Sequence, residues 1–594
     1  MRDIDKNLLR YILKEKSSHD VLNGNYGIEK ENVRVDETGR LALTPHPRDF
    51  GDKLLNPYIT TDFSESQVEM VTPICANLKE AYNFLENLHN IVSLTLKSEY
   101  LWPQSNPPVL PEEDEIPIAV FSSAGMEKRK YREKLAQKYG RKKQMLSGIH
   151  VNFSFKDEFI KALHAEFGKN ISYRDFKDDL YLKLTRNLLK YRWLLVYLTG
   201  ASPVFHKSFA DNKLSSICYE LDGESCFIDG QNSLRNSEYG YHNSEEFLID
   251  YSSLQGYANS LQALIDSGKI QSPSEFYNAV RLKSMYSEAK GILSQLTDSG
   301  IKYIELRLFD LNPFCKIGIS LEDLHFVNLF IVYMFLKQSL PFDEKQQRIA
   351  NKNHYLATVM TDDARIYNDA GEPVSLRHEA LKIIDDIGEM VQTLGVDTDY
   401  LTDVVRSCRE RVSEPEKAYA RRIIEEIKGK SFIGFHMEKA REYMEDSRIR
   451  GIHLIGFEDL EMSTQILLKD CIKRGISFEI LDREENFVKL SKGDKVEYVK
   501  QATKTSKDSY ITALIMANKV VTKEVLKQHH IRVPHSEIYG NLYEAARNYH
   551  KFKDKKIVIK PKSTNYGIGI SILPQGFSKQ QFERALAIAF KHDK

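Results

Sequence analysis

Residues 27–35, GIEKENVRV, constrain the fold more than any other stretch of the chain. Glu29 and Glu31 stand two residues apart in a segment that otherwise reads as a β-strand, with Ile28, Val33 and Val35 as its apolar members. Side chains at i and i+2 of a strand point to one face, so the two carboxylates are neighbours and repel unless positive charge lies between them. Alone, such a pair reads as a solvated face, because charged residues are mostly exposed. It does not stand alone.

TTDFSESQVEMVTP carries Asp62 and Glu69, SGIHVNFSF carries His150, and YIELRLFDLNP carries Glu305 and Arg307, each on a strand or at its edge. His150 alternates with Asn152 and Ser154 against Val151, Phe153 and Phe155, giving that strand one polar and one apolar face. Glu305 and Arg307 likewise share a face opposite Ile304, Leu306 and Leu308. Taken singly, His150 reads as a hydrogen-bonded core histidine, and Glu305 with Arg307 as a surface ion pair. Jointly they do not fit a two-sided core, which would not tolerate so many carboxylates, and a sheet with one site-bearing face is expected. Five carboxylates and one imidazole are hard, mostly oxygen donors that suit magnesium or manganese and argue against structural zinc. Magnesium in turn suggests a nucleotide phosphate.

At 594 residues, 42% of them hydrophobic, the chain is long enough for more than one domain. Residues 1–160 alternate strand-like pieces with helices near 79–97 and 128–138; a long helix follows over 172–200, then a polar loop to about 243 and mostly helical patterns to about 295. A strand, IKYIELRLFDLNPF, interrupts them, and 321–450 reads as helix after helix. From about 452 the texture changes to short strands, GIHLIGF, GISFEIL and VEYVK, with STQILLKDCIKRG as a helix between the first two. The expected division is 1–450, with a core of about 1–330 and a helical region over 331–450, followed by a second domain over 451–594.

Basic and acidic residues balance at 84 each, so no overall field draws nucleic acid or an anionic membrane surface. The run over 127–144 holds nine Lys or Arg residues but only two aromatics, Tyr131 and Tyr139, too few for base stacking; it reads as a solvated helix. Six cysteines without C-x-x-C spacing fit neither a zinc site nor a disulfide framework, and the N-terminal stretch reads as an amphipathic helix, not a signal peptide. The most apolar segments, 193–198 and 326–336, are shorter than the roughly 20 residues a membrane span needs. A soluble protein of the reducing cytoplasm is expected, with no membrane or nucleic-acid partner.

GIEKENVRV, TTDFSESQVEMVTP, LSGIHVNFSF, NSLRNSEYGY, FYNAVRLK and YIELRLFDLNPF, in that order, resemble the bacterial glutamate–cysteine ligases over about the first 320 residues and, more loosely, to about 450. With MANKVVTKEVL and VIKPKSTNYGIGI behind it, the whole resembles the bifunctional glutathione biosynthesis enzymes, in which that ligase is fused to an ATP-grasp domain. The resemblance implies an α+β fold, a curved sheet like that of glutamine synthetase with helices, followed by an incomplete ATP-grasp α/β domain. It implies that glutamate is joined through its γ-carboxyl to cysteine, by way of γ-glutamyl phosphate, with ATP as co-substrate.

Carried over residue by residue, Glu29, Glu31, Asp62, Glu69, His150 and Glu305 match metal-ligand positions for Mg2+ or Mn2+. Tyr131, Gln144, Arg235, Tyr241 and Tyr277 match the positions that hold cysteine, with Phe63 and Leu135 lining its side-chain pocket. Arg307 and Arg281 match positions near the transferred phosphoryl group and the substrate carboxylate. Without the family match, Arg235 and Tyr241 would read as ordinary loop residues. In the second domain Lys519, Lys560, Gly567 and Gly569 match the nucleotide-contacting lysines and glycine loop of ATP-grasp enzymes. The family adds glycine there, using a C-terminal subdomain that this sequence does not reach; the chain is expected to be a C-terminal truncation, its first reaction intact and its second in doubt. The partners are small molecules, glutamate, cysteine and ATP, and a homodimer is compatible with the reading. Two alternatives compete: a ligase of the same fold that uses a different amine, and a non-catalytic ATP-binding regulator.

Overall fold

Twelve consecutive residues, Gly24–Val35 (β1), form the longest strand of a seven-stranded antiparallel sheet. The others are Ile59–Thr61 (β2), Gln67–Val71 (β3), Tyr100–Leu101 (β4), Ile149–Phe155 (β5), Val280–Lys283 (β6) and Tyr303–Phe309 (β7). Their order is β2-β3-β1-β5-β7-β6, with β4 paired to the end of β1. The computed structural model describes residues 1–284 and 291–593, which divide into two compact units, Met1–Glu458 with Gln465–Ser477, and Asp459–Thr464 with the chain from Phe478 onward.

Register converts the sequence pattern into a surface. Glu31 pairs with Glu69, Glu29 with His150, and Glu305 with both Asn152 and Arg281. Because side chains alternate, these residues and Arg307 and Lys283 share one face. Ile28, Met70, Val151, Phe153, Leu282 and Ile304 occupy the other, all buried. Helices Leu78–Thr95, Tyr173–Tyr191 and Leu321–Leu336 cover that apolar side, where the rings of Phe155 and Phe335 lie 4.7 Å apart. Leu321–Leu336 is apolar almost all round because it is buried all round, and Ser320 caps it by accepting from the Asp323 amide.

β1 departs from a simple two-faced strand. Val33 and Val35 lie on the face of the glutamates, while Lys30 and Arg34 alternate with Ile28 into the interior, each only 1% exposed. Lys30 Nζ donates to Lys316 O at 3.2 Å and meets His89 Nδ1 at 3.0 Å. Arg34 donates to Thr44 O at 2.6 Å and Glu65 O at 2.9 Å and pairs with Glu99. Buried charges survive only when their hydrogen bonds are supplied in this way.

Several elements differ from the sequence reading, three of them near the site or the start of the second unit. The helix expected over 172–200 is two, Tyr173–Tyr191 and Trp193–Thr199, meeting at Arg192, whose guanidinium donates to the Leu189 carbonyl at 2.6 Å. The largely helical stretch before 295 contains β6, which becomes a strand by pairing with β7. GIHLIGF is turns, not a strand: Leu454 is buried with its amide bonded to Gln465 Oε1 at 2.9 Å, and Ile452 is over half exposed.

The second unit carries the strands Phe487–Lys492 and Lys495–Lys500 in a three-stranded sheet, the pair Ile557–Ile559 with Ser571–Leu573, and the helices Tyr510–Ala517, Lys519–Gln528, Leu542–Arg547 and Lys579–His592. Its core is small, built from Ala545, Leu573, Phe577, Phe582, Ala585 and Leu586. Among the described residues no helix is long and apolar enough to cross a membrane.

Removing the Arg34 side chain takes the donor from Glu99 Oε2 and from the Thr44 and Glu65 carbonyls. Arg34→Ala is therefore expected to cost about 3–5 kcal/mol of stability by denaturant unfolding; a loss below about 1 kcal/mol would contradict the brace assigned to it.

Candidate active site

A cavity of about 900 Å³ opens on the charged face of the sheet. Every candidate from the first unit lines it: Glu29, Glu31, Asp62, Phe63, Glu69, Tyr131, Leu135, Gln144, His150, Arg235, Tyr241, Tyr277, Arg281, Glu305 and Arg307. They come from five strands and the segments between them, up to 278 positions apart in sequence (Glu29 to Arg307).

His150 is the hub. Its Nδ1 lies 3.1 Å from Glu29 Oε2 and 3.6 Å from Glu305 Oε1, and its Nε2 lies 3.5 Å from Glu31 Oε1. Glu29, His150 and Glu305 offer one ligand atom each, all within 4.8 Å of one another, a spacing at which one ion can be shared. Asn152 Nδ2 donates to Glu29 Oε1 at 2.8 Å, and the Gly148 amide donates to Glu31 Oε2 at 3.0 Å. Arg307 Nη1 donates to Glu305 Oε1 at 3.0 Å while Lys283 Nζ reaches Glu305 Oε2 at 2.9 Å. These second contacts fix which carboxylate oxygens remain free to meet a cation.

The electrostatics divide the carboxylates into two groups. Burial raises Glu305 and Glu29, but cationic neighbours outweigh it: Arg307, Lys283 and His150 hold Glu305 well below the carboxylate range, and the hydrogen bond and charge of His150 hold Glu29 below it. Burial and the charge of Asp62 push Glu31 up to about 8. Burial and the charges of Glu29, Asp62 and Glu31 raise Glu69 well above the carboxylate range. Burial, then the charge of Arg307, lowers His150, against the hydrogen bond to Glu29 and the charges of Glu305 and Glu29. The donor set fits a hard divalent cation, and the raised pair, Glu31 and Glu69, is where added positive charge relieves the most repulsion.

The opposite wall is aromatic. Tyr241 donates to the Tyr277 hydroxyl, with ring centroids 4.5 Å apart, and Tyr131 lines the cavity beside them. Phe63 and Leu135 are buried beside them. Arg235 Nη2 donates to Arg307 O at 3.1 Å, and Arg281 Nη2 to Ser274 O and Phe276 O, both at 2.7 Å.

Arg132 and Lys283 are among the cavity's cations that went unassigned in the sequence. Arg132, in the helix Met126–Tyr139 read as solvated, turns into the cavity and donates to Asp62 O at 2.6 Å. Lys283 sits two residues from Arg281 on β6, and that spacing was the available signal for it.

In the second unit, Lys519 opens the helix Lys519–Gln528 and its Nζ donates to Thr564 O. Burial and the charge of Lys560 both lower its pKa, which places the two lysines in electrostatic reach of each other. Gly567 and Gly569 have φ of +78° and +76°, and a Cβ on Gly569 would meet Pro561 Cγ at 2.6 Å, so the loop beside Lys560 requires glycine there.

Comparison with known proteins places the chain among ligases. The family described as glutamate-cysteine ligase matches residues 9–269 and 264–357, and an ATP-grasp-like domain matches 458–511. The glutathione biosynthesis bifunctional protein GshAB of Clostridium perfringens is 48% identical over 597 residues, covering 100% of this chain and 76% of that protein. That of Listeria welshimeri is 46% identical over 596 residues with the same coverage. A bifunctional glutathione synthetase from Pasteurella multocida superposes with a TM-score of 0.77 at 35% identity, covering 99% of this chain and 74% of that one. The glutamate–cysteine ligase of Francisella tularensis, in complex with AMP, gives 0.69 at 25% identity over 76% of this chain and 92% of that one. The chain belongs to the glutamate–cysteine ligase family, and within it to the bifunctional glutathione biosynthesis proteins.

Glu31 retains its proton in the folded state up to about pH 8, whereas an unfolded glutamate loses it near 4.5. Between those values the folded state binds the extra proton, so this group's contribution to stability falls as pH rises. A divalent cation bound beside Glu31 would replace that proton. The rise in Tm on adding Mg2+ to chelator-treated protein is expected to be larger at pH 8 than at pH 6, measured by scanning fluorimetry; an equal rise at both would contradict the assignment.

Proposed function

We propose that the first unit joins the γ-carboxyl of glutamate to the amine of cysteine at the expense of ATP, through γ-glutamyl phosphate. The observation that carries this reading is the convergence of five carboxylates, one imidazole and three arginines, Arg235, Arg281 and Arg307, in one cavity over the charged face of a single sheet. A carboxylate is a poor acyl donor, and phosphorylation converts its oxygen into a leaving group. Glu29, Glu31, Asp62, Glu69, His150 and Glu305 are the proposed ligands of Mg2+ or Mn2+, which would supply positive charge to the phosphate oxygens. Arg307 and Arg281 add fixed positive charge beside that place, oriented by their bonds to Glu305 and to the Ser274 and Phe276 carbonyls. Arg235 holds the cysteine carboxylate with two parallel N–H donors, which a lysine could not present. Tyr131, Gln144, Tyr241 and Tyr277 surround the rest of the amino acid, and Phe63 with Leu135 receives its side chain.

The proposal places the reaction in the cytoplasm, with small-molecule partners and neither nucleic acid nor membrane. In the second unit Lys519 and Lys560, with the Gly567–Gly569 loop, are the proposed nucleotide contacts, the place where relatives described as bifunctional would carry a second ligation.

Product analysis with ATP, glutamate and cysteine is expected to give γ-glutamylcysteine and ADP in equal amounts, with 2-aminobutyrate a poorer amine and ammonia poorer still. ADP release with no amine preference, or none with any amine, would contradict the cysteine assignment. Glu29→Gln is expected to lower turnover by about a hundredfold or more while leaving Tm nearly unchanged. Lys560→Ala should leave that reaction intact and lower the nucleotide bound per chain from two to one in equilibrium dialysis; an unchanged stoichiometry would remove Lys560 from the second site.

A further inference from the structure

We infer that Gly148 is a positioning residue: the missing side chain at this one position lets the Arg235 guanidinium lie where it reaches the substrate carboxylate. The inference rests on the proposed role of Arg235 and adds the device that sets its place.

A Cβ built on Gly148 would lie 2.3 Å from both Cζ and Nη2 of Arg235 and 2.6 Å from its Nε. Those separations are far inside van der Waals contact, so the guanidinium rests directly against the Gly148 backbone. The same backbone also holds a carboxylate of the charged face. The Gly148 amide donates to Glu31 Oε2 at 3.0 Å, and the Glu31 amide donates to the Gly148 carbonyl at 3.0 Å. One residue thus spaces an anion of the proposed metal site from the cation proposed to hold the amine substrate.

The backbone of Arg235 has no room to retreat. The Leu234 amide donates to Ser202 O at 3.0 Å, and Asn236 Nδ2 donates to Leu308 O at 2.9 Å and to Asp310 Oδ1 at 3.2 Å. Gly240 packs so closely that a Cβ there would meet Arg235 O at 2.0 Å. With the main chain held, a methyl at 148 can be accommodated only by swinging the flexible end of the arginine away. Gly148 itself lies outside the left-handed region, so alanine suits its backbone, and both hydrogen bonds to Glu31 are made by main-chain atoms that alanine keeps.

The test is a double-mutant cycle on the full chain, reading the KM for cysteine, the KM for glutamate, the Mg2+ activation profile and Tm. Gly148→Ala is expected to raise the cysteine KM about tenfold or more, the scale of a lost charge-assisted hydrogen bond, with the other three nearly unchanged. In an Arg235→Ala background, where no guanidinium remains to displace, the same substitution should add nothing. An unchanged cysteine KM in Gly148→Ala, or an equal further rise in the Arg235→Ala background, would overturn the inference while leaving Arg235 in its role. An unchanged cysteine KM in Arg235→Ala alone would instead remove the role of Arg235. A shift in Mg2+ activation as large as that in cysteine KM would show that the methyl deforms β5, and would also overturn it.

Discussion

Buried carboxylates that share a sheet face repel one another in a medium where water screens them poorly, and the rest of the first unit can be read as an answer to that repulsion. β1 brings Glu29 and Glu31 to one face, β3 adds Glu69 opposite Glu31, and β7 adds Glu305. Left to themselves these groups would take up protons, as the upward shift of Glu31 and Glu69 records. Two things keep the others ionised: fixed cations, Arg307 and Lys283 on Glu305, and the imidazole of His150 wedged between three glutamates. The residual repulsion of like charges is what would give a divalent cation affinity for the proposed site.

The apolar side of the sheet makes this affordable in a different sense, by rigidity. Helices packed on Ile28, Val151, Phe153 and Ile304 fix the strands, so the polar atoms above them cannot drift apart to lower their repulsion. The interior side of β1 is not wholly apolar, and the bonds of Lys30 and Arg34 tie it to loops far along the chain. A site that depends on charges held at 3–4 Å needs such a support, since small displacements weaken each contact steeply.

Much of this was legible in the sequence for one reason: strand parity has a period of two, so Glu29 with Glu31, His150 with Asn152 and Glu305 with Arg307 declare their shared faces without any structure. Pairing is not declared. β6 looked like part of a helical stretch because VRLK acquires its strand character from hydrogen bonds to β7, and Lys283 was overlooked with it. GIHLIGF has the composition of a strand but folds as turns, its Leu454 amide held by Gln465 Oε1. Arg132 was hidden by its surroundings, a helix so rich in exposed charge that one inward-facing arginine left no trace in composition. Gly148 stood in a motif already singled out, yet its value lies in the space it leaves, which only coordinates reveal.

The central claim is that this charged face serves phosphoryl transfer to a carboxylate before the amine attacks. Positional isotope exchange tests it most directly: ATP labelled with 18O in the β,γ-bridge, incubated with the protein, Mg2+ and glutamate but no cysteine. If glutamyl phosphate forms reversibly on this face, the bridge label appears in non-bridging β-phosphate positions, and omission of glutamate abolishes the exchange. Label that stays in the bridge while the same sample makes γ-glutamylcysteine once cysteine is added would contradict the account.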